Sequence, residues 1–107
     1  MGPETRIVKK IMIRLRSKWP GAYLRKIHGS MYQHNGIPDI IGCIKGRFIS
    51  LEVKTTEGHV SLIQVLEGKE IEANKGLYAV VTNADEAEEA VKNHLIQSTS
   101  KRRPRLT

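Results

Sequence analysis

The sequence has almost no cysteine and no long apolar run. Cys43 is the single cysteine among 107 residues, so no internal disulfide can form, and no Cys and His spacing indicates a zinc site. No apolar stretch approaches the ~20 residues of a membrane span, and the N-terminus lacks a signal-peptide core. We therefore expect one small, soluble, cytoplasmic domain with Cys43 buried in a strand, and neither a membrane partner nor a small-molecule cofactor.

Acidic residues are scarce in the first half of the chain. Residues 1–54 contain 11 Lys and Arg but only 3 acids, whereas residues 55–107 contain 7 Lys and Arg and 8 acids. The net charge of +7 indicates a polyanionic partner such as nucleic acid. The acids of the basic half are Glu4, Asp39 and Glu52. Isolated carboxylates are unfavourable on a surface that binds phosphate unless they bind a metal ion.

A β-hairpin is predicted near the centre of the chain. Residues 40–44 and 48–53 are β-rich apolar runs, and the Lys45-Gly46 dipeptide between them is typical of a tight two-residue turn. In that turn Ile44 faces Arg47. The register of the whole hairpin follows from this pair, because each step away from the turn pairs the next two residues.

The predicted register places two carboxylates opposite each other. Asp39 lies opposite Glu52, and Lys54, two residues further along the strand, shares their face. The other face is apolar, which predicts the core. It carries Ile40, Ile44, Ile49, Leu51 and Val53. Facing carboxylates repel each other unless a cation lies between them, so the pair is a candidate metal site as long as no β-bulge interrupts the hairpin.

The ligands available at this candidate site are oxygen atoms. Asp39 and Glu52 supply carboxylates, and the Val53 carbonyl can add a further ligand. Such oxygens suit a hard ion, Mg²⁺ with Mn²⁺ as a substitute. Lys54 beside the ion can orient a nucleophilic water or stabilise a phosphorane-like transition state. We therefore predict catalytic roles for Asp39, Glu52 and Lys54 around one or two ions.

Three short segments carry a family resemblance. Residues 36–41 read GIPDII, residues 52–54 read EVK and residues 61–64 read SLIQ. In this order they are similar to the virus-type replication-repair nuclease (VRR-NUC) domain of the PD-(D/E)XK superfamily, whose small stand-alone members occur in phages. The resemblance covers most of the chain, from the first helix to Val81. It implies an α/β, restriction-endonuclease-like core with a mixed central sheet flanked by helices, and a bacterial host cytoplasm if the chain is phage-encoded.

The resemblance also implies roles that the residues alone leave open. Glu4 would be a further metal ligand, although an acid in the first turn of a helix is equally explained by the helix dipole. Gln64 would be a catalytic residue facing the site, although Ser61 and Gln64 also form a complete capping box. Stand-alone relatives resemble Holliday-junction resolvases and act as homodimers, which implies branched DNA as substrate and a second copy as partner.

The remaining pattern predicts one domain over residues 1–96 and a basic, flexible tail over residues 97–107. Helices are predicted over residues 4–18, 61–74 and 83–96, and further strands over residues 22–28 and 77–82.

Basic residues of the first helix and the tail, with one loop histidine, are the predicted DNA contacts. They are Arg6, Lys9, Lys10, Arg14, His34, Lys101, Arg102 and Arg103. The two histidines His28 and His34 are also open to interpretation as ligands, general bases or solvated side chains.

The sequence therefore predicts a metal-dependent, structure-specific DNA endonuclease that hydrolyses phosphodiester bonds, with branched DNA such as a Holliday junction as the expected substrate. The alternative is a basic nucleic-acid-binding module without catalysis, in which the carboxylates are merely solvated. A basic protein-interaction domain is a third possibility, but it leaves the cluster of Asp39, Glu52 and Lys54 unexplained.

Overall fold

The chain forms a four-stranded mixed β-sheet with helices on both faces. A computed structural model describes residues 2–28 and 35–100. Its elements in chain order are α1 (Pro3–Lys18), β1 (Tyr23–Lys26), β2 (Ile40–Ile44), β3 (Arg47–Val53), α2 (Leu62–Ala73), β4 (Leu77–Val81) and α3 (Ala84–Ser100). The strands lie in the order β1-β2-β3-β4; the first three are antiparallel, and β4 runs parallel to β3. The predicted α/β class with a mixed sheet is confirmed.

The central hairpin has the predicted register. Ile44 pairs with Arg47, and the pairing continues without a bulge to Ile40 and Leu51. Lys45 and Gly46 both have positive φ, 52° and 80°, which is the conformation of a tight hairpin turn whose twist matches its strands. Because a two-residue turn fixes the register, one sequence feature determined the positions of all the hairpin side chains.

Helices α1 and α3 cover the core face of the sheet. This face is formed by alternate residues of the hairpin strands, and the apolar stripes of both helices pack onto it. The buried apolar residues are Val8, Ile11, Met12, Leu15, Leu24, Ile40, Ile44, Ile49, Leu51, Val53, Val81, Ala87 and Val91. Arg14 joins the two helices through ion pairs with Asp85 at 2.7 Å and Glu88 at 3.2 Å.

Helix α2 covers only part of the opposite face. It lies over β3 and β4, where Gly68 packs directly against the Tyr78 ring. Within residues 2–28 and 35–100, no helix covers the outer face of β1 and β2, and Cys43 is exposed there. The prediction that Cys43 is buried was therefore wrong, because the sequence does not show which strands a helix covers.

Helix α3 continues beyond its predicted end near Ile96. It runs through Ser100, so the helix is longer than predicted and includes residues 97–100. The division into a domain and a flexible tail stays a prediction. No Gly or Pro follows until Pro104, and Leu95 packs against the core, so nothing in the sequence stops the helix at residue 96. Residues 101–107 lie outside the described residues. Within the described residues, no helix is long and apolar enough to span a membrane.

Candidate metal-binding active site

Asp39 and Glu52 converge at one end of the hairpin, on the face opposite the core. Asp39 immediately precedes β2, and its Oδ2 accepts a hydrogen bond of 2.8 Å from the Val53 amide. Its backbone carbonyl accepts a second bond, of 2.7 Å, from the Ile27 amide. These two bonds hold the Asp39 backbone and side chain against both neighbouring strands. The N–H and C=O groups of a strand residue point toward the same neighbouring strand. Because the Val53 amide donates to Asp39, the Val53 carbonyl also points to the side of the strand on which Asp39 lies.

Glu52 is a buried carboxylate with one satisfied and one unsatisfied oxygen. It lies in the central strand β3 and is only 2% exposed. Its Oε2 accepts a hydrogen bond of 2.9 Å from Gln64 Nε2 and lies 3.6 Å from Lys54 Nζ. Its Oε1 is buried and has no hydrogen-bond partner in the described part of the chain. Buried polar atoms are rarely left without a partner, so Oε1 is the atom at which a ligand is expected.

Burial is the main cause that raises the pKa of Glu52, to about 8, from an ordinary value of 4.5. The negative charge of Asp39 raises it further, whereas the positive charge of Lys54 lowers it. Without a metal ion, protonation of Glu52 would reduce the repulsion between the carboxylates. A divalent cation in the same position would displace that proton.

Gln64 serves the helix and the site at the same time. Its Oε1 accepts a hydrogen bond of 2.9 Å from the Ser61 amide, and Ser61 Oγ accepts one of 3.2 Å from the Gln64 amide, which completes the capping box. Its Nε2 donates to Glu52. The capping and active-site interpretations were open alternatives, but the side-chain amide has a donor and an acceptor and makes both contacts.

The donor set fits a hard divalent ion. It comprises the two carboxylates, with the orphaned Oε1 of Glu52, and the Val53 carbonyl. Glu4 is exposed in the first turn of α1, and the described residues contain no group of three or more Asp, Glu, His or Cys side chains that could hold a metal ion. The structure therefore does not add Glu4 to the pair, and its role as a ligand stays a prediction.

Comparison with solved structures identifies the fold. One solved structure, described as a VRR_NUC domain, superposes on this chain with a TM-score of 0.70 at 20% sequence identity. The match covers 86% of this chain and 97% of that one. The chain has the fold of a VRR-NUC domain. No protein-family sequence model and no curated protein sequence matches it.

The basic residues predicted to contact DNA lie in different parts of this VRR-NUC fold. Arg6, Lys9 and Lys10 are exposed, but they belong to α1, which packs on the core face and not on the face of the carboxylates. Arg14 forms ion pairs with Asp85 and Glu88, and its contact with DNA stays a prediction. The other predicted contacts lie outside the described residues. They are His34, Lys101, Arg102 and Arg103.

Sequence reasoning missed an aromatic and basic pair on the site face. Tyr23 pairs with Cys43, and Arg25 pairs with Ile41, two residues from Asp39 along β2. Both side chains are exposed, and the Arg25 guanidinium lies 4.2 Å from the centre of the Tyr23 ring. The alternation in residues 23–26 was visible in the sequence. The pairing of β1 with β2, which decides the face, was not.

The pH dependence of stability tests the buried Glu52. The folded state keeps a proton on Glu52 up to about pH 8, whereas the unfolded chain releases it near pH 4.5. Because the folded state then binds more protons, the free energy of unfolding of the metal-free protein should fall as pH rises between these values, by at most about 1.4 kcal/mol per pH unit. Chemical denaturation from pH 6.5 to 8 measures this. The decline should be absent in Glu52→Gln, and identical slopes in both proteins would contradict the assignment.

Proposed function

We propose that this chain is a divalent-metal-dependent endonuclease that hydrolyses phosphodiester bonds of DNA. The observation that carries the proposal is the pair of half-buried Asp39 and buried Glu52, with an unpartnered Glu52 oxygen and the Lys54 ammonium beside it, on one face of a VRR-NUC fold. The similar solved domain is named for nuclease activity. Mg²⁺ suits the oxygen ligands, and Mn²⁺ is the expected substitute.

The protein side chains have separate tasks in this reaction. The Val53 amide orients Asp39, and Gln64 orients Glu52, so both carboxylates are preorganised. When bound, the ion would lower the pKa of water and offset negative charge on the scissile phosphate. Lys54 has a side chain only 17% exposed, and its ammonium can donate to the attacking water or to a phosphate oxygen.

DNA would approach over the uncovered half of the sheet. Among the described residues no helix covers the outer face of β1 and β2, which continues to Asp39 and carries Arg25. The exposed lysines of α1 and the basic residues 101–105 would add contacts to more distant phosphates, which is consistent with the net charge of +7. Glu4 remains a proposed additional ligand.

A homodimer acting on branched DNA is the finer form of this proposal. Helix α2 exposes four apolar side chains beside the site, including Leu62 at 71% and Leu66 at 55% exposure. An apolar patch of this kind favours a protein partner, and a second copy related by a two-fold axis is the simplest one. Two sites related by that axis could cut opposing strands of a four-way junction.

Cleavage of defined DNA structures tests the proposed function. Four-way, flap and linear duplex DNA are incubated with the protein in Mg²⁺, Mn²⁺ or EDTA. Metal-dependent strand cleavage is expected, strongest on the four-way junction. Binding without cleavage in any metal would instead favour the non-catalytic nucleic-acid-binding module. Equal cleavage of all three structures would support the nuclease and contradict the preference for branches.

The apolar face of α2 gives a separate prediction about assembly. Light scattering at micromolar concentration should give about twice the chain mass of 12.1 kDa, and Leu62→Ser combined with Leu66→Ser should convert the dimer to a monomer. Ile13→Ser is the matched control, because Ile13 is 64% exposed on α1. A wild-type monomer that only nicks cruciform DNA would contradict the dimer and leave the metal-site chemistry unaffected.

A further inference from the structure

Tyr78 lies beside the carboxylate pair, although no sequence motif includes it. In the parallel pairing of β3 with β4, Tyr78 is opposite Ser50, and Val80 is opposite Glu52. Aligned residues and residues two apart share one face, so Tyr78 and Glu52 lie on the same side of the sheet. That side is the one covered by α2, whose Gln64 also contacts Glu52.

The Tyr78 ring is held in place by a glycine of α2. A Cβ atom added to Gly68 would come within 2.5 Å of the Tyr78 ring atoms Cδ2 and Cε2. Only glycine lets the helix approach the ring so closely, and the helix segment that confines the ring begins one turn after Gln64. The ring and the carboxylate are therefore both fixed by α2.

The hydroxyl group of Tyr78 is unexplained by packing. It is buried and has no hydrogen-bond partner among residues 2–28 and 35–100. An unsatisfied buried donor costs stability. A phenylalanine would fill the same space without that cost. Burial first, and then the negative charges of Glu52, Asp39 and Glu72, raise the pKa of Tyr78 to about 12, so the hydroxyl keeps its proton. Tyr78 is thus a permanent donor on the same face of the sheet as Glu52.

The site contains a matching unsatisfied acceptor. Glu52 Oε1 is buried without a partner, while Oε2 is already engaged by Gln64 and Lys54. One water bound between a hydroxyl donor and a carboxylate oxygen would satisfy both groups, and buried waters typically occupy such polar positions.

We propose that Tyr78 is a positioning residue for Glu52: its hydroxyl donates, through one water, to Oε1 and holds the carboxylate in the orientation that binds the divalent ion. The inference rests on the proposed metal-dependent function. Hydrogen bonds to a ligating carboxylate fix its orientation and strengthen its binding of the ion. Gln64 then acts on one oxygen of Glu52 and Tyr78 on the other.

Tyr78→Phe tests this role because it removes only the hydroxyl group. Mg²⁺ and Mn²⁺ binding to the DNA-free protein is measured by calorimetry, and thermal unfolding is measured in EDTA. Metal affinity should fall about 10-fold or more, the effect expected when a ligand loses its outer hydrogen-bond partner. The melting temperature in EDTA should fall by no more than about 10 °C, the loss expected for a single hydrogen bond made through water.

The matched control is Tyr23→Phe, which removes the hydroxyl of an exposed tyrosine on the same sheet face and should leave metal affinity unchanged. Equal metal affinity of wild type and Tyr78→Phe would overturn the positioning role alone. A melting temperature of Tyr78→Phe in EDTA that is lower by much more than about 10 °C would also overturn it, because the hydroxyl would then be a main support of the fold. A wild-type protein that binds neither ion would overturn the proposed function and this inference together.

Discussion

Glu52→Gln is expected to reduce DNA cleavage by more than about 100-fold, the upper end of the loss caused by removing even an outer partner of a metal ligand. The amide keeps the size of the side chain and an oxygen that can accept from Gln64, so the local packing is preserved. It loses the negative charge that attracts the ion. DNA binding in EDTA at pH 7 should be retained, because the raised pKa already keeps metal-free Glu52 largely uncharged and the substitution changes little of the charge that meets phosphate.

Single-turnover cleavage in Mg²⁺ and DNA binding in EDTA measure the two expectations separately. Asp39→Asn should behave in the same way, since Asp39 is the other half of the pair. Glu57→Gln is the matched control: Glu57 is an exposed acid in the loop after Lys54 and should keep wild-type turnover. Wild-type turnover in either carboxylate variant would show that the pair does not hold the catalytic ion.

The hairpin and its carboxylate pair could be predicted because a short-range feature determines them. The Lys45-Gly46 turn allows one tight connection, and the alternation of apolar residues decides which face is buried. Asp39, Glu52 and Lys54 then share a face by strand geometry alone. The capping box at Ser61 and Gln64 is local in the same sense, so it was also predictable.

Features that depend on which elements meet could not be predicted. Whether Cys43 is buried depends on how far α2 extends across the sheet, and whether Arg14 is free for DNA depends on the packing of α3. Tyr78 becomes a neighbour of Glu52 only because β4 pairs in parallel with β3. In the chain, helix α2 separates these two strands. These relations arise from the tertiary packing of elements that are distant in the chain. Such packing leaves no periodic pattern in a single sequence.

Substitution of Lys54 should distinguish an effect on metal binding from an effect on the cleavage step. Its ammonium is a point charge 3.6 Å from Glu52 Oε2, in a position to act on the nucleophile or the phosphate, whereas it is not a metal ligand. We expect Lys54→Ala to lower single-turnover cleavage by about 10²–10³-fold, the usual effect of removing one preorganised donor to a charged transition state. Lys69→Ala, which removes an exposed lysine of α2, should leave the rate unchanged.

The pH dependence of metal binding by Lys54→Ala identifies the cause of that loss. Lys54 lowers the pKa of Glu52, so its removal raises that pKa further above about 8, and protons then compete more strongly with the ion at pH 7. Metal affinity of the variant should therefore be weaker than that of wild type at pH 7 and approach it as the pH rises beyond about 8. Cleavage should remain impaired at the higher pH, even with the ion bound, because the missing donor is not restored. Recovery of cleavage together with metal binding would instead mean that Lys54 acts only through the ionisation of Glu52.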